Sequence, residues 1–260
     1  MIASLNQLGL VNTLRIFSYL LPGKDIVRVI RKTGREFHFY PAADKGVVSH
    51  FYKPGYRIHG DPRLIVDVGA NIGDEVFRFR SFHPTAKIIA IEPAMRNYAM
   101  LRQNFESDHD TILIHGALWW EACELRLSSP STSSHEGYFI SAPNASASNN
   151  GHSEAVRAYT MQEILAQHGL SNSEIDIFKI DVEGAERFIF CRGDRDWLLR
   201  VNVIIMEMPD NDAPGSFQDI IDTLSSLGIR GNSYICGENF VFCKQGSGFS
   251  LDHVVGLGQT

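Results

Sequence analysis

Leu64-Ile65-Val66-Asp67-Val68-Gly69-Ala70-Asn71-Ile72-Gly73-Asp74 is the stretch whose reading decides the fold. The apolar run Leu64–Val68 predicts a buried strand, Gly69 begins a turn, and a helix follows near Asp74–Phe82. A glycine turn that leaves a strand and opens a helix offers backbone N–H groups to a cofactor. Glycine at 69 and 73 permits backbone conformations and a close ligand approach that a side chain would block. A dinucleotide site wants G-x-G-x-x-G with the pyrophosphate on the helix N-terminus. Here the spacing is Gly69, Asn71, Gly73, and the acids Asp67 and Asp74 flank the turn. That pair repels a pyrophosphate and suits a cationic amino acid portion. The plainer alternative is a structural turn with no ligand.

Working outward, Ile88–Ile91 predicts a second strand, and Glu92 ends it about 20 residues after the turn, where an acid can accept hydrogen bonds from both ribose hydroxyls. Alternatively, Glu92 charges the start of the helix that Pro93 opens. Taken with Asp67, Gly69 and Gly73, the ribose reading implies a nucleoside that carries an ammonium and a carboxylate. S-adenosylmethionine (SAM) is such a molecule.

Beyond this unit, strands at Ile112–Ile114, Ile175–Ile180 and Val201–Met206 alternate with amphipathic segments, the pattern of a parallel sheet covered on both faces. A helix at about 217–227 leads to Ser233–Cys236 and Phe240–Cys243 around Gly237-Glu238-Asn239, which places one antiparallel strand on the sheet. Val156–Thr160 predicts a short additional strand, and Met161–His168 a helix. The expected fold class is therefore α/β: a doubly wound, mainly parallel sheet with a C-terminal antiparallel hairpin, spanning residues 61–260. Residues 1–60 read as an N-terminal extension. In it Leu5, Leu8, Val11, Leu14, Phe17 and Leu21 recur at helical spacing, and a hairpin follows from Ile26–Ile30 and Phe37–Tyr40. Between the third and fourth strands, Ser128–Gly151 is dense in Ser, Asn, Ala, Pro and Gly and reads as a lid or a disordered loop.

Composition narrows the partners. A net charge of -6 gives no general attraction to phosphate backbones, so no nucleic-acid partner is expected. Cys123, Cys191, Cys236 and Cys243 form no CxxC pair and read as reduced thiols, and the histidines form no HExxH pattern, so no metal site is expected. The N-terminus lacks a basic leader region and an uninterrupted span of about 18 apolar residues, so a cytoplasmic chain without stable membrane insertion is expected.

Asp181-Val182-Glu183-Gly184-Ala185-Glu186 ends the fourth strand, at the edge where open α/β sheets bind ligands. Asp181 and Glu183 stand two apart, so extended backbone turns both to one side. Glu207 reaches the same rim from the fifth strand. First-turn acids that favour a helix dipole are the alternative for Glu183 and Glu186.

Several segments in order resemble the FkbM-type methyltransferase family: Asp67–Gly73, Ile91-Glu92-Pro93, Gly116-Ala117-Leu118, Tyr159-Thr160-Met161 and Phe178–Glu186. The resemblance covers residues 26 to 245. It departs at Met161, at Gln162 and at Trp119-Trp120-Glu121. It implies a Rossmann-like class I SAM-dependent methyltransferase, commonly one that O-methylates sugars, glycolipids or secondary metabolites. Carried over, Asp67, Gly69, Asn71 and Gly73 hold the amino acid part of SAM, Glu92 the ribose and Ala117 the adenine edge, and the partner is a small-molecule or glycan acceptor. Asp181, Glu183 and Glu207 are then candidates for taking the proton of an acceptor hydroxyl. Alternatively they bind Mg²⁺, which prefers a few carboxylates and water. The metal-free reading is favoured because no Asp-Asn or Asp-Asp pair accompanies Asp181. Two other functions fit less well: a catalytically silent SAM-binding module, and a nucleotide-binding oxidoreductase, which the missing G-x-G-x-x-G argues against.

Overall fold

The computed structural model describes residues 27–30, 36–39, 56–129, 139–141, 152–182, 184–207 and 215–252. The expected helix over Leu5–Leu21, most of Ser128–Gly151 and Glu183 lie outside the described residues.

The described residues begin with an antiparallel pair, β1 (Val27–Ile30) and β2 (Glu36–Phe39), and a short strand, β3 (Arg57–His59). The decisive stretch forms β4 (Leu64–Val68), the turn, and α1 (Asp74–Phe82). Next come β5 (Lys87–Glu92), α2 (Met95–Phe105) and β6 (Thr111–His115). Four strands then form a separate small sheet: β7 (Ala117–Leu118), β8 (Cys123–Ser129), β9 (Phe139–Ser141) and β10 (His152–Tyr159), in the order β7-β10-β8-β9. The chain returns through α3 (Met161–Gln167), β11 (Ile175–Ile180), α4 (Glu186–Cys191), a 3-10 turn at Asp196–Arg200 and β12 (Val201–Glu207). The last described elements are α5 (Ser216–Ser226), β13 (Gly231–Cys236), β14 (Asn239–Lys244) and β15 (Ser250–Asp252), the last pairing antiparallel with β3.

The central sheet has the order β13-β14-β12-β11-β4-β5-β6. Only β14 runs against its neighbours, as the C-terminal hairpin predicts. Strands β4, β5 and β6 step to one side while β11 and β12 step to the other, so the order reverses between β4 and β11. That reversal opens a crevice at the carboxyl ends of the strands.

Both faces are covered because β4 and β11 are apolar on both sides. One face, with Ile65, Ile88, Ile177 and Val203, packs on Val76 and Phe77 of α1, on Leu101 and Phe105 of α2, and on Phe37 and Phe39 of β2. The other, with Val66, Ile89, Phe178 and Ile204, packs on Ile164 of α3, Phe190 of α4 and Leu224 of α5. Each such buried Ile, Leu or Phe contributes about 1.5–3 kcal/mol. At the amino ends of the strands, Asp176 accepts from the Arg63 and Leu64 amides at 2.7 and 3.1 Å and so sets the start of β4 against β11.

Two expectations need correction. The short strand expected at Val156–Thr160 is the end of the long β10, and Ser128, Ser129 and Phe139–Ser141 of the expected loop are strand. The signal for β8 was present, since Leu125 and Leu127 are buried between exposed Glu124 and Arg126, the period of a half-buried strand. The small sheet buries Leu125, Leu127, Val156 and Ala158 against Ala94 and Ala117. It therefore leans on the carboxyl edge of the central sheet beside the start of α2.

Candidate functional site

The glycine turn is docked from two directions. The amides of Gly69 and Ala70 both donate to the Ile91 carbonyl at 3.0 Å, and the Asp181 amide donates to the Val68 carbonyl at 3.0 Å. The ends of β4, β5 and β11 are thereby locked around one point. At Gly69 the backbone has φ 77°, and a β-carbon would run into the Asp181 carbonyl oxygen. Asn71 is also left-handed, at φ 50°, a conformation that Asn tolerates better than most residues.

Glu92 ends β5 with both oxygens engaged. One accepts from the Asn71 amide at 2.8 Å and the other from the Ala94 amide at 2.9 Å. Its carboxylate thus clips the turn to the start of α2. Burial pushes its pKa up to about 7, against the Ala94 and Asn71 amides, which lower it. The Asn97 side chain is a third hydrogen-bond partner, and since a carboxylate has about four lone-pair positions, capacity remains for one further donor.

Asp67 is fully buried, and neither of its carboxylate oxygens has a hydrogen-bond partner among the described residues. Its nearest cation is Lys179, whose Nζ stands 3.8 Å from Oδ1. Burial pushes the Asp67 carboxyl up to about 7, Lys179 opposes that, and Glu75, Asp74 and Asp181 add to it. Asn71 Oδ1 is likewise buried without a partner. Unsatisfied buried acceptors are uncommon and point to a missing donor.

Ala117 is buried in β7, directly after Gly116, whose amide donates to the Glu92 carbonyl at 3.1 Å. Asp181 lies at the rim with its side chain 33% exposed, and its Oδ2 accepts from Lys179 Nζ at 3.2 Å. Ile180 faces Met206 in the β11–β12 register, so Asp181 and Glu207 follow side by side on neighbouring strands. Glu186 turns inward, and its Oε1 accepts from the Val182 amide at 3.2 Å. Asp67, Gly69, Asn71, Gly73, Glu92, Ala117, Asp181 and Glu207 thus all belong to one edge of the sheet.

Sequence reasoning missed Lys179. The signal was a lysine within the otherwise apolar end of a strand, Ile177-Phe178-Lys179-Ile180. It also missed the buried polar group beside it. The Tyr56 hydroxyl donates to Glu75 Oε2 at 2.9 Å, Arg78 Nε donates to the same oxygen at 3.0 Å, and the Arg78 guanidinium lies 3.7 Å from the centre of the Tyr56 ring. Burial and the Glu75 carboxylate keep Tyr56 well above its ordinary pKa, although Arg78 opposes them. Among the described residues no group of three or more His, Cys, Asp or Glu is placed to hold a metal ion, and no helix is long and apolar enough to cross a membrane.

The sheet order, the covered faces and the glycine turn at the switch point define a Rossmann-like class I methyltransferase scaffold. Residues 67–230 match the family model of the methyltransferase FkbM domain, and the chain belongs to that family. Its cofactor is SAM. Among solved structures, a methyltransferase FkbM from Methylobacillus flagellatus KT is 12% identical, covering 70% of this chain and 43% of that one, with TM-score 0.47. The fibrillarin pre-rRNA processing protein of Methanococcus jannaschii is 13% identical over 86% of this chain and 85% of its own, with TM-score 0.44. TYW2 of P. horikoshii, in complex with MeSAdo, is 15% identical over 89% and 73%, with TM-score 0.39. This chain spans less than half the length of the M. flagellatus protein. No curated protein matches it.

Proposed function

We propose that this methyltransferase moves the methyl group of SAM onto a hydroxyl oxygen of a sugar, glycolipid or secondary metabolite. The observation that carries the reading is the acidic rim, where Asp181 and Glu207 end adjacent strands beside the glycine turn. An alcohol is a poor nucleophile, and a carboxylate at that rim can accept its proton as the oxygen attacks. Glu183, two residues beyond Asp181, belongs to the same proposal as a second acid.

On the cofactor side, the residues present fit the group. Asp67 and Asn71 offer buried oxygens without partners, and SAM brings an ammonium group that can donate to them. Gly69 lets the turn close onto the Asp181 backbone and Gly73 lets it pack on Phe105 and Leu101, which shapes the turn that would hold the amino acid portion, while Glu92 retains capacity for a ribose hydroxyl. Ala117 would border the adenine. When bound, SAM supplies an electrophilic methyl, and the chain's own part is to hold the two reactants in line and to receive the proton.

The test is an acceptor panel of hydroxyl, amine and thiol compounds incubated with methyl-labelled SAM, with the product bond assigned by NMR. Methyl on oxygen is expected, with Asp181→Asn losing turnover while its S-adenosylhomocysteine affinity holds. Transfer to nitrogen, sulfur or carbon alone overturns the hydroxyl reading.

A further inference from the structure

Asp67 and Lys179 are partners in the β4–β11 register, so both side chains leave the same face of the sheet, beneath α1. The Lys179 ammonium stands 3.8 Å from Asp67 Oδ1 and 3.2 Å from Asp181 Oδ2, with only 6% of its side chain exposed. Asp67 lies under the cofactor turn and Asp181 at the acceptor rim. One buried cation therefore touches both halves of the site.

Stability alone does not account for it. On the same face, Ile65 and Ile177 of these strands and Ile205 of β12 are apolar and fully buried. An apolar residue at 179 would continue that layer without the desolvation that a buried ion pair incurs, and such replacements are often neutral or stabilising. The other charged and titratable groups around the pair are Asp74, Glu75 and Arg78 of α1, Tyr56 ahead of β3, and Glu92 at the end of β5. Arg78 already has Glu75 at 3.0 Å. Lys179 is thus the cation that faces Asp67.

We propose that Lys179 is a positioning residue shared by the two halves of the site: its ammonium holds Asp67 and Asp181 in place as carboxylates, so that the cofactor turn is ready for the SAM ammonium before it arrives. The inference rests on the SAM-binding assignment of Asp67 made above. Burial works against the Lys179 charge, yet Asp181, then Asp67, outweigh it and hold its pKa well above the ordinary lysine value. Asp67, by contrast, stands near neutrality at about 7 even with Lys179 present. An opposite charge at this range lowers a carboxyl pKa by roughly 1–3 units. Losing Lys179 therefore protonates Asp67 throughout the neutral range.

The experiment measures S-adenosylhomocysteine affinity by calorimetry from pH 6 to 9 for the wild type, Lys179→Met and Lys179→Arg, with a thermal melt of each. For Lys179→Met the expected loss at pH 7 is at least about fivefold, the result of a one-unit rise, and the ratio to wild type shrinks as the pH increases. Lys179→Arg keeps the charge and is expected to keep the wild-type pH dependence, even if its affinity is uniformly lower. A ratio that stays constant with pH, or identical profiles for Met and Arg, overturns the proposal and leaves Lys179 a structural residue. If Lys179→Met does not fold, the Arg variant decides: a pH profile displaced from the wild type overturns the proposal, and a coincident profile supports it. A wild-type protein that binds no S-adenosylhomocysteine overturns the cofactor assignment and this inference with it, whereas binding with an unaltered Met profile overturns this inference alone.

Discussion

Replacing Glu92 by glutamine separates two roles that the structure superimposes on one carboxylate. In the folded protein the two oxygens accept from the Asn71 and Ala94 amides at 2.8 and 2.9 Å. Glutamine has one carbonyl oxygen, so it retains one of these bonds and sets an NH₂ against the other amide. A buried donor left unsatisfied costs about 1–3 kcal/mol. For a chain of this size that is a fall in Tm of about 2–4 °C for each kcal/mol. The ribose role adds a separate loss, because hydrogen bonds to a charged acceptor are worth about 1.5–3 kcal/mol. The S-adenosylhomocysteine Kd should therefore rise about 10- to 100-fold, at about 1.4 kcal/mol for each factor of ten. Calorimetry reads the second effect and a thermal melt without ligand the first. If the melt falls while the affinity of the folded variant is unchanged, Glu92 is only the clip between the turn and α2, and the ribose assignment is wrong.

Three further outcomes follow from the same geometry. Asp67 and Glu92 both titrate near 7 when folded, above their ordinary values of 3.8 and 4.5. The stability they contribute is full below about pH 4 and is lost as the pH rises through about 7. The Tm of the ligand-free protein should then drop more steeply from pH 5.5 to 8 than that of Asp67→Asn, and parallel slopes would count against the buried carboxyl. Gly69→Ala combines a φ of 77° with a clash against the Asp181 carbonyl, a strain of about 1–3 kcal/mol. It should lower Tm and abolish S-adenosylhomocysteine binding, and a variant that binds normally would show that the turn is not the cofactor's seat. Once an acceptor is known, EDTA should leave turnover intact, and Asp181→Asn should reduce it about 10²- to 10⁴-fold, the scale of general base catalysis. Activity that disappears with EDTA and returns with Mg²⁺ would replace the base by a metal site.

What the sequence determined by itself is the set of local decisions. The strand Ile175–Ile180 has large apolar residues on both faces and is flanked by turn residues, and it has the same bounds in the structure. The glycine turn and α1 are equally local, since backbone freedom at Gly69 and Gly73 and acids in the first helical turn act within a few residues. The antiparallel β13–β14 pair was legible for the same reason, as a turn at Gly237-Glu238-Asn239 between strand-forming segments, although Asn239 itself belongs to β14 and pairs with Cys236. Tertiary structure alone decided what depends on partners distant in sequence. Strand β3 pairs with β15 across most of the chain, and neither is long enough to announce itself. Asp67 and Lys179 are more than a hundred residues apart, and only the parallel register of β4 on β11 sets them face to face. Glu92 read as a ribose acid or a helix-start acid, but its grip on the Asn71 amide follows from the docking of the turn on β5. Periodicity reports which side of an element is buried; which charge it meets there is set by the sheet order, and that order is a global compromise among faces that each have to be covered.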